Sequence, residues 1–394
     1  MWKFGVPKQR VLQELRKAWE EDLHFSDQRI LGSMCTEPLP IAQEAHAQFL
    51  EVNLGNPAYY KGTWRLEREV IKRLAEMLHE RGAGGFTISG GTEGNITALW
   101  LARNVTKKKK VIFGENAHFS ILKAADLLGL KPVKVGLDGQ YRIKVEEVKR
   151  KIDRDTAAVV AVAGTTELGQ VDLIEELGEM CLDRIPLHVD AAFGGFVLPF
   201  MEEMGYRPPL WDFRVPGVSS IVLDSHKMGM STIPGSALIV RRAEHFKRIA
   251  VESPYLTSVY QTSLLGTRSS AGVAATYAAM RHLGREGYCR VVARCIKSTE
   301  VIAKAAEEGG LRMVIKPVMN VLGIMVKDVE GVQRQLERHG WRTSTGRHPR
   351  CLRIVIMPHI SLKAAEAFSE DLLQACRKLG EVQRFGQPKR VKII

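Results

Sequence analysis

Cysteine is scarce and scattered. The six residues, Cys35, Cys181, Cys289, Cys295, Cys351 and Cys376, form no CxxC pair. That spacing argues against a disulfide framework and suits a reducing compartment, so a cytoplasmic location is expected. Apolar runs are short: none approaches the roughly eighteen residues needed to cross a bilayer, and MWKFGVPKQR has no apolar stretch behind it. Neither a membrane span nor a secreted precursor is expected. Asparagine occurs only six times, as in heat-adapted proteins. Acidic residues are in deficit, 44 against 57 Lys plus Arg, which leaves a net charge of +13. The excess fits a nucleic-acid partner, an anionic ligand or a solvated surface. An RNA-binding reading rests on that charge and the run Lys107–Lys110 alone, without the aromatic motifs of such a module. The run is most simply a solvated loop, and no nucleic acid is expected. Disorder is excluded, because 45% hydrophobic and 26% charged residues are ordinary globular values.

What is present is an α/β rhythm. The 394 residues suggest two domains, or one large α/β domain with an appendage. Helical spacing appears after Pro7, from Ala42 to Val52 and from Leu66 to Leu78, with a turn-rich connector at Asn53–Thr63. From about Gly84, short apolar runs alternate with helical patterns: FTIS at 86–89, VIF at 111–113, AAVVAVA at 157–163, PLHVD at 186–190, SSIVLD at 219–224 and SALIV at 236–240. This order predicts βαβ units and a mostly parallel sheet, with AAVVAVA as a central strand. A long helix from about Gly272 through Arg294 follows, then a smaller unit with MVIKP, NVLGIMV and CLRIVIMP as strands. The expected units are a helical segment at 1–65, a large domain at 66–271, and the long helix with a small α+β domain at 272–394.

Ligands of open parallel sheets bind beyond the strand carboxyl ends, and five polar features fall there. Ser89-Gly90-Gly91-Thr92-Glu93-Gly94-Asn95 ends a strand and opens a helix, a phosphate cradle or a plain turn. It is not a Walker loop, since no GK[ST] follows. Asp190 in HVDAAFGG suits a metal ligand, a helix cap or a partner for a cationic ring nitrogen. His188 is read as pointing away from Asp190, which argues against a two-ligand metal site. No metal is expected. Asp224-Ser225-His226-Lys227 places a lysine at a strand–loop–strand turn. With an ordinary pKa of about 10.4, a nucleophilic Lys needs a depressed value or a standing Schiff base. His118 in ENAHFS is a cap, a core histidine or a flat cation, and Gly164-Thr165-Thr166 offers two hydroxyls. Together they follow the order expected of a pyridoxal 5′-phosphate site, with a Lys holding the cofactor and a carboxylate facing the pyridine nitrogen.

On these residues the chain resembles the group II pyridoxal-phosphate decarboxylases of the aspartate-aminotransferase fold. More closely, it is similar to the archaeal L-tyrosine/L-aspartate decarboxylases. The matching stretches include LGSMCT, NLGNP, SGGTEGN, AGTTELGQVD, HVDAAFGGFVLPF, DSHKMGMSTIP, LLGTR and LRIVIMPH, spread from Leu31 to His359. The resemblance implies fold type I, with a mostly parallel large domain and a small C-terminal α+β domain. It implies that Lys227 carries the cofactor, Asp190 pairs with its ring nitrogen, His118 stacks on one ring face and Ala192 packs on the other. Gly90, Gly91, Thr92 and His226 would hold the phosphate, and Thr165 would lie near the ring oxygen or the Asp. A loop tyrosine would return the proton to Cα, Tyr255 being preferred over Tyr260. Arg353 would grip the substrate carboxylate, with a plain salt bridge as the rival reading. Leu264–Arg268 would lie near the phosphate or the partner subunit of a homodimer. The substrate would be an L-amino acid: aspartate, giving β-alanine for coenzyme A, or tyrosine, giving tyramine for methanofuran. Another fold-type-I enzyme, such as a cysteine desulfurase, lyase or aminotransferase, is the alternative. Ser225 and Gly94 depart from the family's usual Pro and Ala, and Thr343–Pro349 has no family match. That last segment is expected near the substrate side chain.

Overall fold

β-Branched and small apolar residues build the large sheet. In the computed structural model, which describes residues 1–382, it contains β1 (Gly84–Ile88), β2 (Lys110–Gly114), β3 (Lys131–Val135), β4 (Thr156–Val162), β5 (Leu187–Asp190), β6 (Val218–Leu223) and β7 (Ser236–Val240). The spatial order is β1-β7-β6-β5-β4-β2-β3. Strands β3, β2, β4, β5 and β6 pair in parallel, and β7 is antiparallel to both β6 and β1. Every residue of β4 is buried, as befits an interior parallel strand covered on both faces. Strand β3 was not anticipated from the sequence. Its KPVKV is mostly exposed at the sheet edge, where Lys and Pro discourage further pairing but hide the usual strand pattern.

Three helices precede the sheet: α1 (Lys8–Glu20), α2 (Pro40–Gln48) and α3 (Lys61–Met77). The connections within it carry α4 (Gly91–Thr106), α5 (Ser120–Leu128), α6 (Val145–Lys151), α7 (Ile174–Cys181) and α8 (Leu198–Glu203). Helix α1 is amphipathic yet, among the described residues, none of its side chains is buried; Val11, Leu12, Leu15 and Trp19 are all exposed. The lysine run is not wholly solvated as expected. Lys110 begins β2, is buried, and pairs with Asp153 at 2.6 Å.

Strands β8 (Val251–Glu252) and β9 (Tyr260–Gln261) frame the anticipated loop as a hairpin. Helix α9 (Ser270–Glu308) is the expected long helix, extended well past Arg294 and interrupted at Gly284, whose φ of +56° only glycine adopts freely. The small antiparallel sheet has the order β10-β11-β13-β12, from β10 (Arg312–Met313), β11 (Val321–Met325), β12 (Ser344–Arg347) and β13 (Arg350–Val355). Helices α10 (Val329–Arg338) and α11 (Leu362–Lys378) accompany it. The expected boundary at 65/66 cuts the continuous helix α3, and the one at 271/272 cuts the first turn of α9. Residues 383–394 of the expected C-terminal unit lie outside the described residues.

One N-terminal strap reaches the small sheet. The Leu31 N–H donates to Arg342 O and the Val355 N–H donates to Leu31 O, both at 2.7 Å. This carries Met34 to the edge of the site described next.

Candidate active site

A cavity of about 440 Å³ opens beyond the carboxyl ends of β1, β4, β5 and β6. Its first wall is the turn from β1 into α4. Glu93 is buried and accepts the Ser89 N–H at 2.7 Å, reaching back as a cap does. The first N–H groups of α4, from Gly91 and Thr92, have no partner within the helix, and the helix dipole adds to their pull on an anion. Space at Gly91 is tight, since a Cβ there would sit 3.1 Å from Asp224 Oδ2 and 3.2 Å from Ala192 Cβ. At Gly94 a Cβ would lie 2.3 Å from Val222 Cγ2 and 2.7 Å from Ile88 Cδ1. The departure from alanine there is therefore matched by bulk on β6 and β1.

Lys227 rides on the loop between β6 and β7, its Nζ 2.8 Å from Asp224 Oδ2. Asp224 is itself buried and accepts Ser236 Oγ–H at 2.5 Å. Burial pulls the Lys227 amine down, but the charge and hydrogen bond of Asp224, with Asp190 behind it, outweigh this and hold its pKa above the ordinary value. This pairing with Asp224 favours the charged amine rather than a depressed pKa. His226 donates its Nδ1–H to Gly235 O at 2.6 Å, burial lowers its pKa, and its Nε2 lies 3.7 Å from Asp224 Oδ2. Asp190 ends β5 and accepts the Ala192 N–H at 3.1 Å and an Asn95 side-chain N–H at 2.7 Å. His118 lies above the start of α5, its pKa lowered chiefly by burial, with the Phe119 ring 4.0 Å away.

The structure brings Gly90, Gly91, Thr92, His118, Asp190, Ala192, His226 and Lys227 to one cavity. It does not bring Thr165 there. That hydroxyl is buried and accepts the Gln170 N–H at 2.9 Å, while Thr166 faces the cavity instead. Tyr255 does not line the cavity of its own chain; it is 84% exposed at the tip of the hairpin. Arg353 stands one layer behind the wall, donating Nε–H to Thr166 O at 2.5 Å and Nη1–H to Gly32 O at 3.0 Å. Burial lowers its pKa to about 10, and among the described residues no carboxylate pairs with it, against the plain salt-bridge reading. Arg268 of LLGTR is committed to Glu67 and to Thr87 O. The turn after β12 docks through the Arg347 and His348 N–H groups on Glu167, next to Thr166.

His188 needs a correction. Residues two apart on a strand share a face, and His188 and Asp190 both reach Asn95, at 2.8 and 2.7 Å. Asp224, Asn95, Met34 and Ile233 were missed as site residues. Asp224 and Asn95 stand inside motifs already singled out, whereas Met34 and Ile233 carry no local chemical signal.

The donor set fits pyridoxal 5′-phosphate: helix-start N–H groups for a phosphate, a buried carboxylate for a pyridinium, and an amine for an aldehyde. Fold and site together define a fold-type-I pyridoxal-phosphate enzyme. The pyridoxal-dependent decarboxylase conserved domain matches residues 60–323, and the chain belongs to that family. Over 93% of its length it is 42% identical to a probable L-aspartate decarboxylase of Archaeoglobus fulgidus, covering all of that protein. It is 45% identical over 93% of its length to a probable L-tyrosine/L-aspartate decarboxylase of Methanothrix thermoacetophila, covering 95% of it. An L-aspartate/L-glutamate decarboxylase of Pyrococcus horikoshii is 41% identical over 94% of the chain and 98% of that protein. Among solved structures, a Burkholderia pseudomallei sphingosine-1-phosphate lyase superposes with a TM-score of 0.88 at 28% identity, covering 96% of this chain and 92% of that one. A Lactobacillus brevis glutamate decarboxylase, 21% identical with a TM-score of 0.86 over 97% and 95% of the two chains, shares the fold. The protein is a pyridoxal-phosphate-dependent decarboxylase.

Proposed function

We propose that the enzyme removes the α-carboxyl group of L-aspartate to give β-alanine, with L-tyrosine to tyramine as the second substrate reading. These would serve coenzyme A and methanofuran synthesis respectively, in the cytoplasm. The observation that carries the reading is the cavity joining Lys227, Asp190 and His118 to the α4 N-terminus. Bound pyridoxal phosphate supplies a protonated ring that accepts the electron pair left as CO₂ departs. Lys227 anchors the cofactor, Asp190 keeps the ring nitrogen protonated, and His118 covers one face against Ala192 on the other. Arg353, buried and without a carboxylate partner among the described residues, stands behind Thr166 as the cation that a substrate carboxylate entering there would meet. Tyr255 returns a proton to Cα after CO₂ leaves.

That last role needs a second copy of the chain, because Tyr255 points away from its own cavity. We read the enzyme as a homodimer. The exposed apolar residues around the site and on α1, among them Phe119, Ile233, Leu15 and Trp19, form the surface such a partner covers. The three units are best divided just ahead of α3 and α9. A cysteine desulfurase needs a reactive loop cysteine near the site; none occurs between residues 225 and 270, and Cys35, the thiol near Lys227, is held above its ordinary pKa chiefly by burial, against a nucleophilic thiolate.

Borohydride reduction with bound cofactor should leave one adduct, on Lys227, located by mass mapping. An adduct elsewhere, or none, would sink the assignment. A CO₂-release screen over aspartate, tyrosine, glutamate and cysteine then reads the substrate; release from none would transfer the case to a lyase or aminotransferase.

A further inference from the structure

Behind Asp190 lies a buried polar array that the reaction as described does not use. Asn95 is its hub and is 1% exposed. The atom facing Asp190 Oδ2 at 2.7 Å must be the amide nitrogen, because a carboxylate only accepts. The second N–H of the same nitrogen goes to Ser120 Oγ at 2.8 Å. The amide oxygen therefore faces His188 Nε2, at 2.8 Å, and this fixes the His188 proton on Nε2. His188 Nδ1 is then an acceptor, served by Ser220 Oγ–H at 2.8 Å. Burial drives the His188 pKa down to about 4, which keeps the ring neutral.

The second branch runs to the other side of the site. Ser120 Oγ, having accepted from Asn95, has one proton left to donate. His118 Nδ1 lies 2.9 Å away, and the Ser120 backbone N–H also points at that nitrogen, at 3.3 Å. Two donors on Nδ1 leave the proton of the neutral His118 ring on Nε2. Each direction in the array forces the next, and flipping the Asn95 amide would set its oxygen against the Asp190 carboxylate.

We propose that Asn95, oriented by Ser220 and His188, is a positioning residue that aims Asp190 at the pyridine nitrogen and holds His118 as its Nε2–H tautomer. One side chain thus couples the acid at the ring nitrogen to the histidine above the ring. The proposal rests on the cofactor reading only for the identity of the ligand. If wild-type protein fails to bind pyridoxal phosphate, that reading fails; the comparisons below test the array.

Asn95→Asp keeps the shape and removes both N–H donors, so cofactor affinity should weaken by about tenfold or more. It is read by visible circular dichroism as cofactor-free protein is titrated with pyridoxal phosphate. His188→Gln keeps an N–H for Asn95, and His188→Leu does not. The Gln variant should stay within about threefold of wild type in affinity, while His188→Leu falls toward Asn95→Asp. Ser120→Ala removes the hydroxyl that links Asn95 to His118 and leaves only the longer backbone N–H contact on Nδ1. It should leave affinity within about twofold but lower kcat by about tenfold at unchanged KM. Thermal midpoints of the cofactor-free variants separate misfolding from misorientation, and if Asn95→Asp does not fold, the His188 pair carries the test. The proposal is overturned if His188→Gln and His188→Leu are equally impaired at equal stability, or if folded Asn95→Asp binds like wild type. An unchanged kcat in Ser120→Ala overturns the His118 branch.

Discussion

At the scale of residues, the buried titratable groups set an acid response whose sign can be worked out. His188 has a folded pKa of about 4, below its ordinary 6.5. The neutral ring therefore contributes stability above pH 6.5 that is lost as pH falls toward 4, on the order of 3 kcal/mol. Asp172 works the other way. It is fully buried, and burial raises its pKa to about 6 despite N–H donors from Ile143, Asn116 and Val162. Its contribution is present below the ordinary 3.8 and is lost as pH rises through 6. The two nearly oppose each other over one window. Urea unfolding between pH 4 and 6.5 should show His188→Gln losing acid sensitivity and Asp172→Asn gaining it, whatever their absolute stabilities. Arg353→Lys, which keeps the charge but not the planar fork, should raise KM by about tenfold with a smaller change in kcat, read by CO₂-release kinetics. Lys227 and Asp190 were legible because their residue types are costly to bury without a purpose. The role of Asn95 was not, since a motif reveals its residues but not which neighbour each will meet.

At the scale of elements, α4 shows how a departure from a family pattern is compensated in space. Gly94 lets α4 settle onto Val222 of β6 and Ile88 of β1. Gly94→Ala should destabilise the protein by about 1–3 kcal/mol through overpacking. Calorimetry should show part of that loss recovered in Gly94→Ala/Val222→Ala, where the second change opens the space. Strands β2, β4 and β7 were readable because every residue in them is buried, and β1, β5 and β6 because short apolar runs survive between their polar residues. Strands β3 and β12 escaped because neither has that burial; β3 reads as exposed Lys and Pro, and β12 as STGR. The antiparallel setting of β7 left no trace in its composition, since SALIV is as apolar as its parallel neighbours. That setting closes the Lys227 loop between two paired strands and so limits where the amine can go.

At the scale of the whole molecule, the outward-facing Tyr255 makes a test by mixing possible. Lys227→Ala and Tyr255→Phe chains, each nearly inactive alone, should regain activity when refolded together, because one mixed site then holds both residues. No recovery on mixing would remove Tyr255 from the shared-site reading. The +13 charge no longer requires a nucleic acid; part of it suits the entry of anionic substrate and cofactor, and part is surface. The array around Asn95 also has a consequence for the order of assembly. Asn95 meets His188 and Asp190 across 93 and 95 residues of sequence, and β1, which leads into α4, joins β5 only through β7 and β6, so both contacts wait on strands distant in sequence. Such long-range closure is slow compared with helix formation. In a refolding experiment, helical circular dichroism should therefore recover well before pyridoxal phosphate is captured, and the colour of the bound cofactor becomes a clock for completion of the sheet.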